Sequence, residues 1–306
     1  MEERDQVMAE EDIKNKVVVE DAGIEYTQEE DLKPLDTDDL CAFAASTVSR
    51  LTSEEWKEVF YGFDDLRRIY KFHSAEFKQF LPKFSKHIYD GVENLRSSIC
   101  RNALNLVTEV FSTDKNLNEV DETGELTSYS EFSVEIIPVV CKKIADDKVF
   151  ISSRGKAALE SISKHWFSKG ITLTLCELSK SKSLAISTEV SNALKDNSLT
   201  LPAEFWLQSE NMELLFNTLS EDIASKRQPF GKNAKLVLKS ICDKIGEEAF
   251  KEIAKTSLGS AEAAEKLFQS FQVKKEKDNS KGFRDFLKKK KNVKQNKDDE
   301  DNVFIS

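Results

Sequence analysis

Apolar residues recur at three- and four-residue spacing along most of this chain, with polar residues filling the opposite positions. Leu40, Phe43, Ala44, Val48 and Leu51 make one such stripe, which an α-helix places on a single face. Thr37-Asp38-Asp39 opens it, because short polar side chains accept the free N–H groups of a first turn. Thr52-Ser53-Glu54-Glu55 opens a second helix, with acids suited to the positive helix end. Its inner face reads Trp56, Val59, Phe60, Phe63, Leu66 and Ile69-Tyr70. A third stripe carries Phe77, Phe80-Leu81, Phe84, Ile88 and Val92. After the link Glu93-Asn94-Leu95-Arg96, a fourth runs from Ser97 to Phe111. Residues 112–128 are polar and read as a longer loop. The pattern resumes over 130–145, 153–167, 169–179, 184–195, 202–224, 231–245 and 247–273.

The spacing therefore predicts an all-α chain of about ten helices, in pairs joined by short polar turns. A period near 40 residues suggests an α-α superhelix of HEAT or armadillo-like helical repeats. A non-repeating helical bundle has the same local periodicity and stays open at this point. Composition agrees with helices: 306 residues hold 10 Gly and 5 Pro. Both shares are under half the average usage of roughly 7% and roughly 5%. Sheet folds with many hairpins draw on those residues for their turns, so a sandwich, barrel or propeller is excluded. Gly91, Gly155, Gly170, Gly231 and Gly246 are expected at helix ends or turns, and Pro82, Pro138 and Pro202 near helix starts.

Charge divides the chain into three. Residues 1–40 hold 15 acids and 4 bases, whereas 274–297 hold 11 bases and 3 acids. The expected organisation is an acidic disordered tail at 1–36, a helical domain at 37–273 and a basic disordered tail at 274–306. The net charge of −10 is largely a property of the first tail and hides the second. The Lys288, Lys289, Lys290, Lys291 run is a candidate auxiliary contact for an acidic surface. Cys41, Cys100, Cys141, Cys176 and Cys242 form no CxxC pair and read as reduced, buried small hydrophobes. No secretory h-region and no 18-residue apolar run is present, so a soluble cytosolic or nuclear protein is expected.

Catalytic chemistry finds little to work with. His73, His87 and His165 stand outside any HxxxH or HExxH setting, and no GxSxG, GxGxxG or P-loop occurs. The acid pairs Asp64-Asp65 and Asp146-Asp147 are sequence neighbours and do not face each other across a site. No enzyme, cofactor or metal is expected. The turns between paired helices offer more: Trp56, Arg96, Lys148, Lys180, Lys182, Lys226 and Arg227. In a solenoid such turns stack along one edge, so single residues combine into a strip suited to an acidic protein partner.

Four stretches carry a family resemblance. EEWKEVFYGFDDLRRIYKFHSAEF and GVENLRSSICRNALNLVTEVF resemble the opening of a TOG domain, of the crescerin type first and the CLASP type next. IIPVVCKKIADDKVFISSRGKAALESI and LLFNTLSEDIASKRQPFGKNAKLVLKSI are similar to its later repeats, so the likeness covers about 53–245, extending to 273. It implies six HEAT-like repeats in a flat paddle whose intra-repeat turns contact αβ-tubulin or microtubules. Trp56 would be the anchoring aromatic, and Lys148, Lys180 or Lys182, and Lys226-Arg227 the basic turn residues. Arg96 matches the family's most recognisable element, either as a tubulin contact or as a tie between repeats. The chain departs from the family at Ser152-Ser153, which precede Arg154 where Arg directly follows Phe-Ile, and at Pro229 in the fifth turn. The implied role is non-enzymatic regulation of microtubules in the cytoplasm and cytoskeleton, with a cilium, flagellum or basal body as a further address. A HEAT-repeat scaffold for another centrosomal or ciliary protein is the alternative. Neither membrane nor nucleic acid is an expected partner.

Overall fold

The computed structural model describes residues 26–112, 128–166, 168–208, 212–225 and 227–272. The first four helices are α1 (Leu40–Leu51), α2 (Trp56–Phe72), α3 (Ser74–Glu93) and α4 (Ser97–Phe111). Then come α5 (Ser128–Ile144), α6 (Val149–His165), α7 (Lys169–Ser179) and α8 (Leu184–Thr200). The last are α9 (Ala203–Gln208), α10 (Glu213–Ser225), α11 (Phe230–Ile245), α12 (Glu247–Leu258) and α13 (Ala261–Phe271). No β-strand occurs among the described residues.

The helices pack as six pairs: α1 with α2, α3 with α4, α5 with α6, α7 with α8, α10 with α11, and α12 with α13. First helices touch first helices along α1, α3, α5, α7, α10 and α12, and second helices touch along α2, α4, α6, α8, α11 and α13. This two-layer succession, in which each pair meets its sequence neighbours, is an α-α superhelix of HEAT-like repeats. The short α9 is an addition between the fourth and fifth pairs and rests on α11. One continuous core runs between the layers, from Phe60, Phe63 and Leu66 through Phe84, Phe111 and Ile137 to Phe216, Phe250 and Phe268.

Local sequence explains several helix starts. Asp39 caps α1 by accepting from Ala42 N at 2.9 Å, Ser168 caps α7 at 3.0 Å and Ser260 caps α13 at 3.3 Å. Two of the expected helices are each divided. The stretch read as 202–224 becomes α9 and α10. The stretch 247–273 breaks at Gly259, which takes the left-handed conformation at φ 65° and ends α12 just before the Ser260 cap. Pro82 and Pro138 lie inside α3 and α5 rather than near their starts, where surrounding packing outweighs the lost backbone hydrogen bond. Gly91 lies two residues before the end of α3, near the expected helix end, and a Cβ there would come within 2.0 Å of the Phe63 ring. Gly155, by contrast, lies inside α6, packed on the backbone of Lys143 and Ile144. Four cysteines are buried as expected, but Cys41 is exposed, since the first helix is covered on one side only.

Residues ahead of position 37 also pack on the helices. Residues 26–36 form a strap across the second-helix layer, held chiefly through its backbone carbonyls. Arg67 Nη1 donates to Thr27 O at 2.9 Å, Arg68 donates to Lys33 O at 3.0 Å and to Pro34 O at 2.9 Å, and Lys71 donates to Glu29 O. The strap's own Leu32 is buried, and its Tyr26 ring meets Phe60 edge-on. Under the strap, Arg67 of α2 donates three hydrogen bonds to Glu109 of α4, the shortest 2.6 Å. It also reaches Asp64 and Asn102. Residues 1–25 of the expected acidic tail, 113–127 of the expected loop at 112–128, and the expected basic tail at 274–306 with Lys288–Lys291 lie outside the described residues.

Candidate functional site

The five intra-repeat turns expected to carry function are all present on one edge, because each joins the first helix of a pair to the second. Four of them share one construction. A short polar side chain accepts the backbone N–H two residues on: Ser53 from Glu55 at 3.1 Å, Asn94 from Arg96 at 2.9 Å, Asp146 from Lys148 at 2.9 Å and Ser181 from Ser183 at 3.3 Å. Such side-chain-to-backbone bonds fix a tight reversal without glycine. The accepted N–H belongs in each case to the cap residue of the next helix. In the fifth turn Ser225 accepts from Arg227 at 3.3 Å, but the helix start is delayed to Phe230, with a cis peptide between Gln228 and Pro229.

This frame sets the register of the edge. The cap position holds Glu55, Arg96, Lys148 and Ser183, and the first helical position holds Trp56, Ser97, Val149 and Leu184. Arg96 and Lys148 are unusual caps. Ser, Thr, Asp or Asn would satisfy a free N–H there, and a cation at the positive helix end is locally unfavourable. Neither side chain bonds its own helix start.

The turns also touch one another. The Arg96 guanidinium lies over the Trp56 ring at 4.2 Å from its centroid, and Lys148 Nζ donates to Ser97 Oγ. Trp56 is half-buried, its other side packed on the core. One side of Trp56 thus packs on the core while the Arg96 guanidinium covers its ring. Lys180, Lys182 and Arg227 are exposed, and Arg227 lies 5.1 Å from the Phe230 ring. Lys226 lies outside the described residues. Among those described, none of Arg96, Lys148, Lys180, Lys182 and Arg227 forms an ion pair, whereas Lys142, Lys156 and Lys251 elsewhere on the surface do.

Three apolar side chains on this edge were not singled out from the sequence. Leu95 is 97% exposed, Val149 78% and Leu184 63%. Their place at or beside a cap position puts them outside the core. Together with Trp56 they intersperse the cations with hydrophobic contact area. Acids are present too: Glu54-Glu55 precede Trp56, and Asp146-Asp147 precede Lys148. The edge thus grows more cationic from the first turn toward the fourth and fifth. Behind the fifth turn, burial raises the Asp222 carboxyl to about 6 despite the opposing pull of Arg227.

Desolvation and the neighbouring Lys86 lower the His87 pKa, and burial raises the thiols of Cys100, Cys141 and Cys176. Among the described residues no cluster of His, Cys, Asp and Glu is placed to hold a metal ion, and no helix is long and apolar enough to cross a membrane.

No protein-family model matches the chain, and no curated protein matches it in sequence. Solved structures that resemble it include a crescerin TOG domain, described as part of an array that regulates microtubules in the primary cilium. That likeness is at 15% identity with a TM-score of 0.44, over 75% of this chain and 90% of the other. A designed armadillo-repeat protein in complex with the peptide (KR)4 is similar at 14% identity and a TM-score of 0.39, over 74% of this chain and 98% of the other. The assignment of the chain to the HEAT-like superhelices rests on the packing of its own six helix pairs.

Proposed function

We propose that the intra-repeat turn edge is a protein-docking surface of TOG type that binds αβ-tubulin or the microtubule lattice without catalysis. The observation that carries this reading is the set of unpaired cations on one edge, two of them at cap positions where local stability disfavours them. Residues that work against their own helix are expected where a binding surface is maintained. Trp56 with the stacked Arg96 anchors one end, Lys148 lies midway, and Lys180, Lys182 and Arg227, with Lys226 beside it, steer an acidic partner at the other. Docking that prefers one tubulin curvature shifts polymerisation by the difference in affinity between the two. The basic tail around Lys288–Lys291 supplies a second, salt-sensitive contact. The corresponding location is the cytoplasmic cytoskeleton, including a cilium, flagellum or basal body.

Microtubule co-sedimentation and size-exclusion chromatography with free tubulin test the reading, on wild type beside Trp56→Ala. Binding by wild type that weakens in the variant supports it, and absence of wild-type binding in both assays rejects it. A second reading has one specific observation in its favour. The acids Glu54, Glu55, Asp146 and Asp147 share the edge with the cations, which suits a partner of mixed charge. In that case the chain is a HEAT-repeat scaffold for a different cytoskeletal or ciliary protein.

A further inference from the structure

The strap at 26–36 is a peptide seated on the helices, and its contacts define what that seat reads. Five of its carbonyls accept from three cations of α2. Arg67 donates to Thr27 O at 2.9 Å, and Arg68 to Lys33 O at 3.0 Å and Pro34 O at 2.9 Å. Lys71 donates to Glu29 O and, at 3.5 Å, to Glu30 O. Every residue carries such a carbonyl, so this half of the recognition is independent of the strap's side chains.

Sequence enters at three apolar positions. The Tyr26 ring meets Phe60 edge-on at 5.6 Å and the Arg101 guanidinium of α4 at 4.0 Å. Leu32 is buried, and Leu35 packs half-buried on the core. Between Tyr26 and Leu32 the chain turns, with Gln28 O accepting from Asp31 N at 3.2 Å and Glu29 O from Leu32 N at 3.3 Å. The strap's acids, Glu29, Glu30, Asp31 and Asp36, are exposed and form no ion pair among the described residues. Their charge nevertheless suits a seat lined by Arg68, Lys71 and Arg101.

The hold on the strap is light and the seat beneath it is firm. Of its eleven side chains only Leu32 is fully buried, and seven are exposed. A segment with few buried apolar contacts and exposed backbone hydrogen bonds opens far more readily than a core helix. The floor is fixed without it. Arg67 donates three hydrogen bonds to Glu109 of α4, Asn102 of α4 donates to Phe60 O at 3.1 Å, and Arg68 is held by Asp65 at 3.1 Å. Opening therefore bares a preorganised surface, which favours binding of a second segment.

We infer that this face of α2 and α4 is a peptide-docking surface, and that the strap occupies it in competition with a segment of another protein. The segment it fits is acidic, with an aromatic residue, a leucine six positions on and a second apolar residue three beyond. The seat lies apart from the turn edge and stands whether or not that edge binds tubulin.

Fluorescence anisotropy with a labelled synthetic peptide of residues 26–36 tests this on full-length chains. Wild type should bind it weakly, because a tethered strap competes at an effective concentration on the order of mM. Leu32→Asp in the chain unseats the strap and should tighten peptide binding by about 10-fold or more. The same peptide carrying Leu32→Asp should bind that released chain about 10-fold more weakly, having lost its buried leucine. Adding Arg68→Ala and Lys71→Ala to the released chain should weaken binding as well. Leu32→Ala in the chain is a milder release with an intermediate affinity expected, and it keeps the test decisive if the aspartate chain does not fold. Equal affinity of wild type and the released chains, or no discrimination between the two peptides, overturns the proposal. Concentration-dependent dimers of wild type that Leu32→Asp abolishes would assign the seat to a second copy and overturn the choice of a foreign segment.

Discussion

Arg96 stacks its guanidinium on the ring of Trp56, 4.2 Å from the centroid, and so ties the second turn of the edge to the first. The contact is exposed on the Arg96 side, where a cation–π pair contributes about 0.5–1 kcal/mol. Arg96→Ala should therefore lower the unfolding free energy by about that amount while weakening partner binding more strongly. Urea denaturation beside a binding assay separates the two effects. A stability loss of several kcal/mol with binding intact would make Arg96 a structural tie and remove it from the binding surface.

Lys148 occupies a cap position without capping its helix. Lys148→Ser should raise stability by about 1 kcal/mol, by supplying an acceptor and removing a cation from the positive helix end. The same change should weaken binding. A denaturation midpoint that falls in this variant would show that Lys148 is retained for the fold, through its contact with Ser97, rather than for a partner.

Beneath the strap, the Arg67–Glu109 pair is buried and bidentate. Arg67→Met should destabilise by about 3–5 kcal/mol, because it leaves a buried carboxylate without its counter-charge. Combining it with Glu109→Leu should recover part of that loss, the remainder reflecting Asp64, Asn102 and the Thr27 carbonyl, which Arg67 also binds. A double-mutant cycle measures this. If the single change costs under about 1 kcal/mol, the network does not hold the first two pairs together.

Asp222 gives the fold a pH dependence of defined sign. Its carboxyl is raised to about 6 by burial, so the folded state binds more protons than the unfolded state from the usual carboxylate range up to pH 6. Stability from this group is lost as pH rises through that window and is lowest above it. Asp222→Asn should therefore melt higher than wild type at pH 7.5, the gap closing as pH falls below 6. Calorimetry at both ends of the window is the check, and a constant gap would rule out titration of Asp222 as its source.

The sequence made the helices and the turn edge legible for one reason: both are local. Stripes such as Trp56, Phe60 and Phe63 need only helical spacing, and short polar links such as Glu93-Asn94-Leu95-Arg96 need only a break in it. What escaped depended on tertiary partners. The strap at 26–36 has little apolar pattern, because backbone carbonyls meeting Arg67, Arg68 and Lys71 hold it. Gly259 interrupts an otherwise continuous stripe, so one left-handed residue was enough to hide a helix boundary. Leu95, Val149 and Leu184 stand in links or at a helix start, and the turn frame fixes their side chains outward. That frame leaves a faint trace, a short polar residue at 53, 94, 146, 181 and 225, whose meaning needs the backbone to be seen.

The central claim is that the edge, and not the basic tail, sets affinity for tubulin. The direct measurement compares tubulin affinity at fixed ionic strength for three full-length chains: wild type, Lys182→Glu with Arg227→Glu, and alanine at Lys288–Lys291. Lys182 and Arg227 are exposed and form no ion pair among the described residues, so their reversal leaves the fold intact. The edge account predicts that reversal at Lys182 and Arg227 weakens binding at least 10-fold, about 1.4 kcal/mol, while the tail variant loses less. Affinity unchanged by the edge reversal and abolished by the tail substitutions would contradict it.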